Sequence, residues 1–447
     1  MASKRNSTGE PDYVLIMIVA TLVALGLLMV YSASYAWGLE EVGDPDYFFW
    51  RQLVLAAIGI GGAVVMYRID YRTWRRWAIP IMAVALLSLL AVLIFGEERF
   101  HARRAFRNGS IQPSEGAKLA LVIYAATWLA SKGQKLRQIN YGLIPYACLL
   151  GMVCGLVALE PDLSTTFLLA VIGLGMFFIA GADLKQMAIG LAGGGITLGL
   201  LVLSSPHGRS RIHSFLNALR HPSLVGNPSL TRGEYQTEQA LRALTRGGWW
   251  GVGFGNGQGK LPGRVILPYT DGIFAILGEE AGLIGGLLVI SLFAALAYRG
   301  FRIAAQAPDQ YGMLLATGIT IWLVSQALIH IAVIVKLFPV TGMTLPFISQ
   351  GGSSLVSCLA AVGLLLNISR GGSGGGKKET IREPFDLRRR NRGTRLPASR
   401  RRGSAAQRDN KKSRSSRSIT TRKRASSRSA TRRGHQGTAR SVRRRSR

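Results

Sequence analysis

The chain has 447 residues, 48% of them hydrophobic, and a positive mean hydropathy. Long apolar runs separated by short polar segments argue against several soluble domains and predict one polytopic membrane bundle. The formal net charge of +32 is uneven, because residues 371–447 carry 27 Lys and Arg against 4 Asp and Glu, which leaves +9 for residues 1–370. The three cysteines lie in apolar segments and the six histidines show no metal-ligand spacing, so we predict no disulfide framework and no cofactor, and leave a divalent cation requirement open.

Ten mostly apolar stretches have roughly the 17 to 25 residues needed to cross a bilayer. The first begins at Tyr13 behind Lys4 and Arg5 and has no evident cleavage site, so we expect a retained helix and not a signal peptide. The stretches lie near 13–34, 49–67, 77–96, 115–131, 141–159, 163–181, 185–204, 272–298, 311–334 and 351–369. The predicted fold class is therefore an all-α integral membrane protein.

Composition divides the chain into a short N-terminus at 1–12, a membrane domain at 13–370 and a basic tail at 371–447. The membrane domain includes a large extracytoplasmic loop at 205–271. The Ser/Arg-rich tail has hardly any apolar residues with which to form a core, so we expect a disordered cytoplasmic arm. Such an arm is suited to binding anionic inner-leaflet lipid, and nucleic-acid or partner binding stays open.

The distribution of basic residues predicts the orientation of the bundle. An even number of spans places both termini on one side. Basic residues occupy alternate short loops at 68–76, 132–137 and 299–302, on the same side as the basic tail. By the positive-inside rule this side is the cytoplasm.

One short loop on the opposite side breaks this rule. The loop 97–114 carries four arginines, including Arg103 and Arg104. An external basic rim suggests an anionic substrate, such as a lipid headgroup that carries phosphate. Contact with the lipid surface is the alternative.

The long external loop contains two predicted elements. Residues 234–248 have apolar side chains at helical spacing and precede Trp249 and Trp250, so we expect an amphipathic helix at the membrane interface. The glycine-rich segment 247–259 lacks the preceding strand and the following Lys-Ser/Thr of a nucleotide-binding loop. We therefore expect it to form a flexible lid.

Several ionisable residues are assigned to the outer end of the bundle, where such groups are candidates for function. Glu115 and Lys118 are three residues apart on one helix face, which fits either a structural ion pair or substrate binding. Glu160 and Asp162 flank a proline between two helices, where Asp162 either caps the next helix or takes part in catalysis. Lys336 is assigned to the same end.

Asp271 stands where the long loop enters a helix, without an obvious cation within one turn. A carboxylate at the edge of a low-dielectric region can act as a general base, but Asp is also a favoured N-cap for a helix that begins at Gly272. Spacing alone favours the cap. Glu279 and Glu280 lie two turns further on, and we expect them to pair with bases from other helices and assign them no chemistry.

The segment 341–356 interrupts what would otherwise be continuous helix. Pro346 and Gly351 break the pattern, and Ser353 stands at the start of the next helix. Interrupted helices beside a cavity can direct amide dipoles at an anion. A re-entrant turn that only shapes the bundle is the alternative.

Five motifs in this order resemble the FtsW/RodA (SEDS) family. They are QPSEGAKLAL at 112–121, EPDLSTT at 160–166, YQTEQAL followed by GGWWGVGFGNGQGKLP within 235–262, YTDGIFAILGEEAGLIGG at 269–286 and TGMTLPFISQGGSSLV at 341–356. The resemblance covers about residues 13 to 370. The ending GLLLNISR and the tail are more similar to the FtsW branch, the division members, than to the RodA branch, the elongation members.

This resemblance implies a peptidoglycan glycosyltransferase that polymerises lipid II at the outer face of the bacterial cytoplasmic membrane during cell division. It places the family's catalytic carboxylate at Asp271, and it implies that Glu115 and Glu160 shape the substrate cavity, while Ser353 at the start of the last helix is a further candidate for substrate binding. The candidate cations for the diphosphate of undecaprenyl-diphosphate-linked glycan are Arg103, Arg104, Lys118 and Lys336. The implied partners are a class B penicillin-binding transpeptidase and other division proteins.

The chain departs from the family pattern at three places. Tyr269 replaces a frequent histidine, Ala105-Phe106 replaces a common tryptophan after the basic pair, and Gln350 replaces a tyrosine. These departures leave a histidine relay and details of headgroup contact open.

Other functions also fit a bundle of this kind. A lipid II flippase would need polar contacts at both faces for alternating access, whereas the ionisable cluster here is one-sided. An elongation-type polymerase and a non-catalytic division scaffold are the further alternatives.

Overall fold

The structure is a computed structural model that describes residues 9–99, 102–105, 112–220 and 232–371. The predicted tail beyond Gly371 lies outside these residues. The helices are α1 (Tyr13–Glu41), α2 (Tyr47–Arg68), α3 (Tyr71–Phe95), α4 (Pro113–Lys132), α5 (Ile144–Leu159), α6 (Leu163–Ile179), α7 (Leu184–Ser204), α8 (Pro206–Arg220), α9 (Arg232–Gly247), α10 (Ile273–Gln306), α11 (Gln310–Ile334) and α12 (Gly352–Ser369). A 3₁₀ turn at Gly133–Arg137 and a π turn at Ile139–Leu143 lead into α5.

Each of the ten predicted spans corresponds to one helix, namely α1 to α7 and α10 to α12. Eight stretches of helix are long and apolar enough to cross a membrane, and α6 is a shorter apolar helix of 17 residues. The remaining span, α4, carries Glu115 and Lys118 near its start. The predicted all-α class is confirmed. The strands in the described residues form one short hairpin, β1 (Glu97–Arg99) with β2 (Ala102–Ala105).

The bundle has two ends, which we name by what they hold. The terminal end contains the start of α1 and the end of α12, where Asp12 N–H donates to Ser369 Oγ at 3.3 Å. The loop end contains the hairpin, α8, α9, the segment 248–272 and the loop 335–351. Of the candidate site residues predicted from the sequence, four lie in these elements and the others lie at the ends of α4, α5 and α12 on the same side of the bundle: Arg103, Arg104, Asp271 and Lys336, then Glu115, Lys118, Glu160 and Ser353.

The long loop contains two helices of its own. The predicted amphipathic helix is confirmed as α9. The other helix, α8, was not predicted, although Ile212, Phe215, Leu216 and Leu219 have the i, i+3, i+4, i+7 spacing of an amphipathic helix.

At the terminal end, Asp309 joins the start of α11 to the start of α3. It accepts hydrogen bonds from Tyr71 Oη at 2.6 Å, Arg72 Nε at 2.9 Å and Gly312 N–H at 2.7 Å, the last of which caps α11. Burial opposes ionisation, but the hydrogen bonds from Tyr71, Gly312 and Arg72 outweigh it and lower the pKa of the Asp309 carboxyl below its ordinary value.

We expect Asp309→Asn to lower the free energy of unfolding by about 1 kcal/mol at neutral pH, because the ion pair with Arg72 is lost while asparagine can still cap α11. A carboxyl whose pKa is lowered by folding stabilises the protein above its unfolded pKa, about 4, and loses that contribution as the pH falls through the lower folded value. The difference between wild type and variant, measured by thermal unfolding in detergent, should therefore shrink as the pH falls below about 4. A pH-independent difference would contradict this assignment, and the exposed Glu10→Gln is the control.

Candidate functional site

Asp271 lies in the turn that leads into α10 at the loop end, and its side chain is half-buried. Its Oδ2 is close to the loop 335–351, since a Cβ placed on Gly342 would lie only 3.5 Å from it. The residue at the N-cap position of α10 is Gly272, and no side chain hydrogen-bonds at that cap. The capping interpretation favoured by spacing alone is therefore wrong by one residue, because the helix begins at Ile273.

The loop 335–351 fixes the backbone on either side of Asp271. The carbonyl of Tyr269 accepts from Gln350 N–H at 2.9 Å, and the carbonyl of Thr270 accepts from Ser349 Oγ at 2.8 Å. Two consecutive carbonyls before the carboxylate are thus held by a segment about 80 positions further along the chain. This pairing limits how far the turn can move.

An aromatic cluster supports the same turn from α1 and α2. The ring of Tyr269 stacks on Phe48 with 4.8 Å between centroids, and Trp37 meets it edge-on at 6.2 Å. Trp37 Nε1 also donates to the Lys260 carbonyl at 3.1 Å. Tyr269 is therefore a buried packing residue in this chain.

Glu115 and Lys118 form the predicted ion pair in α4, with 2.8 Å between Oε2 and Nζ, and both side chains are buried. Lys118 Nζ also donates to Gln326 Oε1 at 2.9 Å and lies 5.4 Å from the centre of the Trp322 ring. Gln326 Nε2 in turn donates to the Thr344 carbonyl at 2.9 Å. Through these contacts the loop 335–351 connects the Lys118 group to the turn of Asp271.

The other predicted residues lie around this loop. Ser353 Oγ in the first turn of α12 accepts from Gln112 N–H at 3.3 Å, and Gln112 Nε2 lies 3.4 Å from Asp162 Oδ2. Asp162 also caps α6 by accepting from Thr165 N–H at 3.1 Å, which is one of the two roles that the sequence left open for it. Glu160 is fully buried beside it.

The candidate cations differ in how far the structure describes them. Lys336 follows the end of α11 and is half-buried, and no carboxylate in the described part of the chain lies within ion-pair distance of its ammonium. Arg103 and Arg104 lie in β2, with the backbone of Arg103 paired to Glu98. For these two arginines the structure describes the backbone only.

Backbone strain is concentrated in the same turns. Across the described residues, four non-glycine residues have a positive φ: Pro161, Leu267, Lys336 and Phe347. Pro161 separates Glu160 from Asp162, Leu267 opens the turn of Asp271, and the other two belong to the loop 335–351. Such conformations cost energy and tend to cluster at functional sites, so their placement marks this region independently of the charges.

Glu280 belongs to a buried cluster between α1 and the long loop, and the sequence analysis did not identify its partners there. Ser32 Oγ donates to Glu280 at 2.7 Å, and Lys260 Nζ pairs with Glu280 at 2.9 Å. Glu279 pairs with Arg246 of α9 at 3.2 Å and accepts from Gly259 N–H at 2.8 Å. Glu279 pairs with a base from another helix, as predicted, whereas the base that pairs with Glu280 comes from the irregular segment 248–272, and both ion pairs hold the long loop against α10.

The glycine-rich segment is fixed against α10 by its backbone, which corrects the expectation of a flexible lid. At Gly282, with φ 68° and ψ −170°, α10 is kinked and its hydrogen-bond ladder opens. The loop supplies the missing partners. The bonds run from Val252 N to Glu279 O, Gly253 N to Glu280 O, Leu283 N to Gly248 O and Ile284 N to Trp249 O, at 2.9 to 3.3 Å.

We expect Gly282→Ala to destabilise the protein by about 3 kcal/mol or more. Its φ and ψ are accessible essentially to glycine alone, and a Cβ would lie 2.4 Å from Gly251 N and 2.5 Å from the Trp249 carbonyl. Thermal unfolding in detergent measures the effect. The control is Gly62→Ala in α2, where a Cβ meets nothing within 4 Å and stability should be unchanged or slightly higher. Equal stability of both variants would refute the strained kink.

Acidic and histidine side chains form no metal-binding group in the part of the chain that the structure describes, where no three of His, Cys, Asp or Glu come together. His330, for example, is buried with its Nδ1 2.7 Å from the Met343 carbonyl.

Known proteins resemble this chain over nearly all of the membrane domain. Residues 12–373 match the FtsW/RodA/SpoVE family model, described as cell cycle protein. The probable peptidoglycan glycosyltransferase FtsW of Trichlorobacter lovleyi is 39% identical over 372 residues, covering 81% of this chain and 94% of that protein. Stage V sporulation protein E of Bacillus subtilis is 40% identical over 378 residues, covering 83% and 99%.

Solved structures agree. A chain from a study of the structural coordination of polymerization and crosslinking by a peptidoglycan synthase complex superposes with a TM-score of 0.64 at 27% identity, covering 80% of this chain and 98% of that one. The rod shape determining protein RodA of Thermus thermophilus gives 0.60 at 27% identity, covering 81% and 98%. The family model, the identities and the shared fold together show that this multi-pass membrane protein belongs to the FtsW/RodA/SpoVE family and is closer to FtsW than to RodA.

Proposed function

We propose that the chain is a peptidoglycan glycosyltransferase that polymerises lipid II into glycan strands during cell division. The observation that carries this proposal is the placement of Asp271: a half-buried carboxylate on a turn that the loop 335–351 and an aromatic cluster hold from two sides. The names of the FtsW relatives support the same reaction class.

In the proposed reaction Asp271 is the general base. It takes the proton from a hydroxyl of the acceptor sugar while that oxygen forms a bond to the anomeric carbon of the donor sugar. The bond between the anomeric carbon and the undecaprenyl diphosphate breaks, and the diphosphate leaves with the electron pair. One positioned base is sufficient for the proton transfer, because the leaving group is already a good one.

The departing diphosphate needs positive charge near it. Lys336 is the best-placed described candidate, because its ammonium is not neutralised by a carboxylate and its own loop holds the turn of Asp271. Arg103 and Arg104 on the hairpin are further candidates. Lys118 is already paired with Glu115, so we propose that this pair, with Glu160 and Ser353, shapes the cavity and does not carry the leaving group.

We further propose that the loop end faces the outside of the bacterial cytoplasmic membrane and that both termini lie in the cytoplasm. The basic short loops at the terminal end support this orientation through the positive-inside rule. Lipid II would then be used in the outer leaflet. The basic tail would contact anionic lipid on the inner side.

The partner that we propose is a class B penicillin-binding transpeptidase, because a similar chain belongs to a complex that coordinates polymerization with crosslinking. Other division proteins complete the proposed assembly. The sequence identity to FtsW and to stage V sporulation protein E favours a role in septal or spore peptidoglycan synthesis over a role in elongation.

The test is polymerisation of fluorescent lipid II by the purified full-length chain, resolved on gels, with and without the transpeptidase. Glycan ladders under either condition would support the enzyme. If no ladder forms but the chain moves labelled lipid II across a vesicle membrane, the protein is a flippase. If the chain neither polymerises nor moves lipid II yet binds the transpeptidase, it is a scaffold.

A further inference from the structure

Two neighbouring tryptophans of the long loop project from an otherwise well-anchored segment. Trp249 and Trp250 are 68% and 83% exposed, more than any other of the eight tryptophans in the chain. Large apolar side chains on a rigid backbone are costly in water, so an exposed pair of this size indicates a contact surface.

Two polar contacts between α1 and α10 mark a distance along the bundle that can be compared with the thickness of a membrane. The two helices run antiparallel, and Asp12 pairs with Arg299 at the terminal end while Ser32 bonds to Glu280 at the loop end. These two polar contacts are 20 positions apart in one segment and 19 in the other, or about 28 to 30 Å of helix. This distance equals the thickness of the hydrocarbon core of a bilayer, about 30 Å.

The loop meets α10 within one helical turn of Glu280, the polar contact at the loop end. Gly248 and Trp249 carbonyls accept from the N–H groups of Leu283 and Ile284 at 2.9 and 3.3 Å, only three and four positions beyond Glu280. The indole pair therefore lies at the level where the hydrocarbon core gives way to headgroups. Tryptophan is enriched at this level, because its ring is apolar and its N–H is polar.

The surface beneath the pair belongs to the lipid-facing side of the bundle. The next outward-facing residues of α10 are Leu283, Ile284, Leu287 and Leu288, each 44 to 51% exposed. The backbone bonds to Leu283 and Ile284 make the indole pair continuous with this stripe. They also satisfy the loop's polar backbone, which is required of any irregular segment that approaches the hydrocarbon.

We infer that Trp249 and Trp250 are an interfacial anchor that inserts into the lipid surface at the loop end. The anchor fixes the glycine-rich segment at the headgroup level, and with it α9 and the first part of α10. This inference requires only that the chain spans the membrane and does not rest on the proposed function. A protein partner on the same surface is the competing occupant, and the experiment below separates the two.

The probe is the tryptophan fluorescence of the full-length chain in vesicles of phosphatidylethanolamine and phosphatidylglycerol whose acyl chains are brominated either near the carboxyl end or near the methyl end. The emission of the pair is the difference between wild type and the double variant Trp249→Phe, Trp250→Phe. We expect the shallow bromine to quench this difference at least about twofold more strongly than the deep bromine, and aqueous iodide to quench it weakly.

Trp77→Phe is the matched positive control, because Trp77 is 58% exposed on α3 near the terminal end and should show the same preference for shallow bromine. The single variant Trp250→Phe repeats the measurement with less change to the loop. Quenching by iodide and not by bromine would place the pair in water and overturn the anchor. Protection from iodide only after the transpeptidase is added would assign the surface to a protein and overturn it as well. Neither readout depends on activity.

Discussion

Asp271→Asn is expected to lower the rate of lipid II polymerisation at least about 100-fold, because general bases contribute roughly 10² to 10⁴ to the rates of enzyme reactions. Asparagine keeps the size of the side chain but cannot take a proton at neutral pH. The bonds that hold the turn come from Ser349 and Gln350 to backbone carbonyls, so they survive the substitution.

The loss should appear in kcat, with KM for lipid II little changed, because the base acts in the transition state and not in substrate binding. Glu40→Gln is the matched control, an exposed carboxylate on α1 at the same end of the bundle, and it should retain wild-type activity. Comparable ladders from Asp271→Asn and wild type, with both proteins folded, would remove Asp271 from the mechanism and return it to a structural role in the turn.

Hydropathy predicted the membrane domain well, since each apolar stretch of bilayer length became a helix. The amphipathic spacing of 234–248 likewise predicted α9. Both signals are local, and each helix satisfies its own backbone. The helix α8, which was not predicted, carries a signal of the same kind in the helical spacing of its apolar residues.

The contacts around the buried glutamates of α10 could not be predicted from local sequence patterns. Lys260 and Glu280 are 20 positions apart and the chain between them is irregular up to Gly272, and nothing in the composition of the segment distinguishes Lys260 from the neighbouring bases. The kink at Gly282 could not be recognised either, because other glycines nearby lie in regular helix. The glycine-rich segment looked flexible, since the backbone bonds that fix it leave no residue signature.

In the candidate site too, local patterns predicted individual residues but not the contacts between distant parts of the chain. Position alone made Asp271 a candidate base or cap, the resemblance favoured the base, and the cap of α10 is Gly272, one residue further on. The pair Glu115 and Lys118 was predicted from its i, i+3 spacing. The role of the loop 335–351 in joining them was not, because its contacts to Thr270 and Gln326 run between distant parts of the chain.

The second large effect concerns stability. Lys260→Met is expected to lower the free energy of unfolding by about 3 to 5 kcal/mol, because it leaves the fully buried Glu280 carboxylate without its cation. The remaining donors, Ser32 Oγ and the Gly257 N–H at 3.4 Å, are neutral and do not compensate the charge. Unfolding in detergent, followed by temperature or denaturant, measures the loss.

Replacing both partners distinguishes a lost ion pair from lost packing. In Lys260→Met with Glu280→Gln neither partner of this pair is charged, so most of the stability should return, and the coupling in the double-mutant cycle should exceed about 2 kcal/mol. The matched control is Arg242→Met in the pair of Arg242 with Glu238 on α9. That arginine is 32% exposed, and the variant should cost under about 1 kcal/mol.

If the double variant is no more stable than Lys260→Met, the lysine stabilises through its stem and its bond to the Gly255 carbonyl, and not through Glu280. If the coupling is large, the ion pair adds to the backbone hydrogen bonds that hold the long loop to α10. The hydrogen bond from Trp37 to the Lys260 carbonyl then connects this ion pair to the aromatic cluster beneath Asp271.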